Sequence, residues 1–176
     1  MRAIAHMLDR LSYHLHRIAL VCAVLAVLVL LAAAGWQVIA RYFLAQPPAW
    51  TEELARFSMV WAGLLGASCA FRMNADPSLF PALQNPKGTI GKLRAVLRTI
   101  GVLAFISPIL WYSFFGPNMN PARGYLARLA GRQAETMDVP MSLFGIAIPI
   151  AFTLIAIHLI AQLVGAFADQ TERNPS

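Results

Sequence analysis

The sequence predicts an all-α integral membrane bundle of four transmembrane helices, with both termini inside and a short inner-leaflet connection between helices 2 and 3. Three observations predict it. Of the 176 residues, 59% are hydrophobic and 12% carry a charge, whereas a soluble domain carries roughly 25%; too little polar surface remains to coat a water-soluble body. The apolar residues gather into four runs that are long enough to cross a bilayer once their helical flanks are counted. Lys and Arg are divided unequally between the segments that join those runs. The length suits one membrane domain over 1–176, with spans near 18–40, 52–71, 92–115 and 140–168.

The first run, Ile18 to Ala40, carries no formal charge. As a helix it rises about 34 Å, enough for a hydrocarbon core of about 30 Å. Arg2, Arg10 and Arg17 before it, and Ala32 to Ala34 within it, imitate a signal peptide. The run is longer than a signal core of roughly 7–15 residues, so a retained span is expected. The second run, Phe57 to Phe71, is short by itself. Its helix should begin at Thr51, because Pro47 and Pro48 bar a helix before that point. Thr51 suits a cap, and Glu52 and Glu53 suit the positive end of the helix dipole. Arg56 follows one turn on, at i+4 from Glu52 and i+3 from Glu53. The third run, Thr99 to Phe115, should start near Thr89 and bend at Pro108. The fourth, Val139 to Ala168, is long enough to tilt or kink. Pro149 cannot donate to the carbonyl of Gly145, so a kink is expected there.

Orientation follows from counting basic residues. One side holds Arg2, Arg10, Arg17, Arg72, Lys87, Lys92, Arg94, Arg98 and Arg173; the other holds Arg41, Arg56, Arg123, Arg128 and Arg132. The larger group marks the inside. Trp36, Tyr42, Trp50, Trp111 and Tyr112 fall at the predicted outer interface. The inner loop, 73–88, contains Leu79, Phe80 and Leu83, which lie flat on the inner leaflet or pack as an ordinary loop. In the outer loop, 116–138, Asn120-Pro121 reads as a helix start and Gly131 as a stop, about ten residues apart.

The net charge of +6 sits beside the apolar runs and reads as a topology signal rather than a nucleic-acid surface. None of the eight acidic residues lies mid-membrane, which argues against a self-contained proton-coupled exporter. His158 is the ionisable side chain inside a span, with Gln162 one turn on as a possible partner. It reads as a neutral histidine bonded to a neighbouring helix or to a partner subunit; the alternative is a proton relay or a haem ligand, with His14 and His16 poorly matched to it in depth. Cys22 and Cys69 lie inside apolar runs and read as small buried hydrophobes. Ala62, Gly66 and Ala70 form a small-residue row that allows close helix approach, with Gly63 and Ala67 beside it. No phosphate loop, nucleophile elbow or metal-ligand spacing occurs. Catalytic, cofactor-binding and metal residues are therefore not expected, and the reading is a subunit that supports something larger rather than an enzyme.

Arg41 to Arg72 reads RYFLAQPPAWTEELARFSMVWAGLLGASCAFR. It resembles the small membrane subunit, the Q or DctQ-type component, of tripartite ATP-independent periplasmic (TRAP) transporters. The resemblance is carried by Arg41-Tyr42, by Trp50 before Glu52-Glu53, and by Arg56, Trp61, Gly66, Ala67 and Arg72. Val139-Pro140 and Ile148-Pro149 are similar to the family's last helix more loosely. One departure stands at Met73-Asn74-Ala75-Asp76-Pro77, where family members often carry a His-Ile pair. The resemblance implies a multi-pass protein of the bacterial inner membrane, in contact with membrane lipid. It further implies pairing with a large polytopic subunit that holds the substrate and sodium sites. A periplasmic binding protein would deliver an organic acid or similar solute. On this view Arg41, Tyr42, Trp50, Glu52, Glu53, Arg56, Trp61, Gly66 and Arg72 are structural or interface residues, and Arg123, Arg128 and Arg132 are candidates for docking the binding protein. Two other readings stay open: a small haem-binding redox protein using His158, and a self-associating channel built on the Ala62-Gly66-Ala70 row.

Overall fold

The structure, a computed structural model, describes residues 2–73 and 89–168. Helix α1, Arg2–Phe43, has 42 residues and is about 63 Å long, about twice the hydrocarbon thickness. It begins well before the first apolar run because residues 2–17 contain neither Gly nor Pro to stop it. It ends where Ala45 turns left-handed (φ 54°) and the Gln46 amide donates back to the Ala40 carbonyl at 3.3 Å. That bond is one residue wider than the usual Schellman closure, and alanine stands in the left-handed place that glycine usually takes. Pro47 and Pro48 then forbid resumption.

Helix α2, Ala49–Met73, starts two residues earlier than expected. Thr51 does not accept an amide hydrogen bond as a cap; its buried hydroxyl donates to the Pro48 carbonyl at 2.7 Å. Helix α3, Thr89–Phe114, begins at the expected residue and contains Pro108. Two single 3₁₀ turns, Pro117–Met119 and Pro121–Arg123, lead to the short helix α4, Tyr125–Ala130. The expected ten-residue helix is thus divided. Asn120 does start a turn, its side chain accepting from the Ala122 amide at 3.0 Å, and Gly131 ends α4. Gly124 lies between the two pieces in an extended conformation, which no helix can run through. The fourth run forms α5, Ser142–Gly145, and α6, Ala147–Ala168. The break falls at the Gly145 end, where Pro149 withholds its amide. Regular bonding resumes from Ile150 to the Ile146 carbonyl at 3.2 Å.

Among the described residues, four helical stretches are long and apolar enough to cross a membrane: Ala3–Phe43, Ala49–Met73, Ala95–Phe114 and Ser142–Ala168. Helix α1 runs along α2, and α6 packs against α1, α2 and α3 together. The inner-leaflet connection and its Leu79, Phe80 and Leu83 lie outside the described residues, as does Arg173.

Helix α1 closes on its neighbours through small residues spaced by sevens. Ala5, Ser12, Ala19, Ala33 and Ala40 are all buried, and Ala26, in the same register, is half-buried. On α2 the buried series Thr51, Ser58 and Leu65 has the same spacing. A seven-residue period is the seam of a left-handed helix pair. Lipid tails are as apolar as leucine, so association relies on close backbone approach rather than on hiding large side chains. Accordingly Ile18, Val21, Leu25, Leu28 and Leu31 face outward. Cys69 is buried in the cluster of Ala19, Ala23 and Leu65, with Trp61 and Leu154 against it. Cys22 is exposed, contrary to expectation, because it lies to one side of this seam.

Candidate functional site

Two polar clusters tie the helices together, one at each end of the bundle. At the end carrying the N-terminus, Arg72 comes from the last turn of α2. It pairs with Asp9 at 2.7 Å and donates to Ser12 Oγ at 2.7 Å. Ser12 Oγ in turn lies 2.7 Å from Nδ1 of His158 on α6. Ser12 and His158 are completely buried. Gln162 does not bond to His158. It donates to the Phe71 and Arg72 carbonyls at 2.9 and 3.3 Å, and so satisfies carbonyls that the end of α2 leaves without a helical partner. The three helices α1, α2 and α6 are therefore joined through polar side chains.

His158 is bonded to a neighbouring helix, and the partner, Ser12, is the residue that sequence reasoning missed. His16 is also nearer than its sequence depth suggested: its ring meets that of His158 at 6.4 Å between centroids, edge on. The long α1 carries His16 alongside α6 rather than out into the interface. The Ser12–His158 bond joins α1 to α6 here. Among the described residues, no group of three or more His, Cys, Asp or Glu side chains is placed to hold a metal ion.

At the opposite end, Glu53 is buried. Its two carboxylate oxygens accept from the Glu135 amide at 2.8 Å and the Thr136 amide at 2.7 Å, and the Thr136 hydroxyl donates to it as well. The segment it holds is a hairpin-like turn closed by an antiparallel bridge between Gln133 and Pro140. Phe57, one turn along α2, stacks flat on Phe144 of α5 at 3.6 Å, so α2 also makes an apolar contact with the helix that follows this turn. Glu52 makes the expected i+4 pair with Arg56 at 3.1 Å, but both side chains are about two-thirds exposed. The expected Glu52-Glu53-Arg56 unit is thus split: one carboxylate faces Arg56 in solvent and the other grips the loop.

Glycines set the loop above α3. A Cβ on Gly124 would lie 2.4 Å from the Phe114 carbonyl oxygen, and one on Gly116 would lie 2.5 Å from the Arg123 backbone. Gly145 lets Leu129 and Tyr125 of α4 pack onto α5. Arg123, Arg128 and Arg132 are all exposed on this loop. Arg41, Tyr42 and Trp50 are exposed nearby, Trp61 and Gly66 are half-buried, and Arg72 belongs to the other cluster. Trp36, Tyr42, Trp50, Trp111 and Tyr112 are exposed around the Glu53 end, which is the placement of an interfacial aromatic belt. A Cβ at Gly63 or Gly66 would touch nothing, so the small-residue rows of α2 are not where the described helices close most tightly.

Four spanning helices, an apolar exterior and polar clusters that join helices define a multi-pass membrane protein. The chain belongs to the DctQ component family of tripartite ATP-independent periplasmic transporters, whose profile matches residues 30–169. The match takes in Glu53, Thr136, Arg72, His158 and Gln162; Asp9, Ser12 and His16 precede it. The chain is thus a small TRAP transporter component. The comparison with curated proteins found no match.

Proposed function

We propose that the chain is the non-catalytic brace of its transporter. It would hold a large polytopic subunit in the bacterial inner membrane and help to dock a periplasmic substrate-binding protein. The uptake served would be the sodium-coupled symport of an organic acid or similar solute. Both termini would be cytoplasmic, and the Glu53 end would face the periplasm. The observation that carries this reading is membership of the DctQ family across residues 30–169. Two features support it. Polar side chains join the described helices in the interior, and the large apolar side chains of α1 face outward, leaving surface for lipid and for a membrane partner. The exposed Arg123, Arg128 and Arg132 lie at the end a periplasmic protein would approach.

The test is a mild-detergent pull-down of the tagged chain from its own membrane. A larger, very hydrophobic protein recovered in equal amount is the expected result. Recovery of a pure self-oligomer, with ion currents from the chain alone in a bilayer, would replace the brace with a channel.

A further inference from the structure

Hydrogen bonds in the cluster of α1, α2 and α6 bear on the position of one proton. A guanidinium has only donors, so Arg72 Nη1 donates to Ser12 Oγ across 2.7 Å. The hydroxyl proton of Ser12 is left for another acceptor. A helical serine commonly turns it to the carbonyl one turn back; here the oxygen lies 2.7 Å from Nδ1 of His158, on a different helix. If Ser12 donates to Nδ1, a neutral imidazole whose Nδ1 accepts carries its proton on Nε2.

That Nε2–H is buried and meets no protein acceptor, on a side chain with no exposed surface. A buried donor left unanswered is destabilising. Two other buried polar atoms in the same region also lack a protein partner: Nδ1 of His16 and Oγ of Ser68. His16 follows Ser12 by one turn on α1, and its ring is set edge on to that of His158. Ser68 is one turn before Arg72 on α2, and the Cys69 thiol beside it approaches the His16 carbonyl at 3.9 Å. Two ring nitrogens and one hydroxyl thus come from the three helices that meet here. Buried waters typically bind to two to four such groups. A cation does not suit the set, because Nε2–H presents a positive edge.

We infer that His158 is the Nε2–H tautomer and that His158, His16 and Ser68 together bind one buried water at the junction of α1, α2 and α6. The water links the part of α1 before residue 30 to the matched helices, so the site goes beyond what family membership describes.

The test is solid-state NMR on the full chain, extracted with its bound partners, reconstituted in lipid and labelled with ¹⁵N in the histidine rings. His158 is assigned through its contact with Ser12, so no variant has to fold. A bare Nδ1, a protonated Nε2 and magnetisation transfer from water to the Nε2 proton are expected. A proton on Nδ1, or an Nε2 proton that receives no transfer from water, overturns the inference. In His16→Phe the tautomer should persist while the transfer weakens; undiminished transfer would remove His16 from the site.

Discussion

Glu53 on α2 accepts the backbone amide of Thr136 at 2.7 Å, although 83 residues separate the two. The carboxylate so joins the start of the second span to the turn that leads into the fourth, with Glu135 bound by its other oxygen at 2.8 Å. Both oxygens face donors, which a carboxylate can satisfy and a carboxamide cannot.

Glu53→Gln therefore turns an N–H₂ group toward a backbone N–H. The expected outcome is a lower melting temperature and faster proteolysis within residues 132–141, read by limited digestion of the purified protein. Glu53→Asp should also weaken the grip, because the shorter side chain cannot reach both amides. Unchanged digestion in the glutamine variant would remove Glu53 from this role.

Arg56→Ala separates folding from assembly. The Glu52–Arg56 pair is about two-thirds exposed, and such pairs contribute about 0–1 kcal/mol. Its melting temperature should therefore stay close to wild type. If the cluster contacts a partner, recovery of the large subunit should fall in the same variant. Wild-type recovery would confine Arg56 to a solvated pair.

At the other cluster, Arg72→Met and Asp9→Asn should differ sharply. Arg72 is largely buried and donates to Ser12, whereas Asp9 is about two-thirds exposed. Losing a hydrogen bond from a charged group costs about 1.5–3 kcal/mol, and losing the exposed partner only about 0–1 kcal/mol. Thermal unfolding of both variants in one detergent gives the comparison. Equal losses would show that the ion pair, rather than the Ser12 bond, carries the stabilisation.

The four spans were legible because apolar runs, prolines and basic flanks act locally along the chain. Thr89 marks the start of α3, and Pro149 places the break before α6. The clusters were only half legible. Glu53, Arg72 and His158 stood out as charged or ionisable groups beside apolar runs, but Thr136 and Ser12 are ordinary polar residues whose meaning comes from partners 83 and 146 residues away. A signal for Ser12 did exist. It occupies the second place in the row Ala5, Ser12, Ala19, Ala26, Ala33 and Ala40, and a polar residue in a seven-residue small row marks a helix seam. The shorter row at Ala62, Gly66 and Ala70 drew attention instead, because its four-residue period is the familiar one.

The glycines of the loop allow a test of steric need without removing any polar contact. A Cβ at Gly124 would lie 2.4 Å from the Phe114 oxygen and 2.7 Å from its carbonyl carbon. These are backbone atoms at the end of α3 and cannot rotate aside. Overpacking of this kind costs about 1–3 kcal/mol, so Gly124→Ala should lower the melting temperature and loosen the segment carrying Arg123 and Arg128. At Gly63 a Cβ meets nothing within 4 Å, and alanine there should raise helix propensity slightly without strain. Thermal unfolding of Gly124→Ala and Gly63→Ala side by side gives opposite signs if the close approach of α3 and the loop persists in the membrane. Destabilisation at Gly63 with tolerance at Gly124 would mean that the tight contact lies on the outward face of α2, against another protein, and that the loop is free to move.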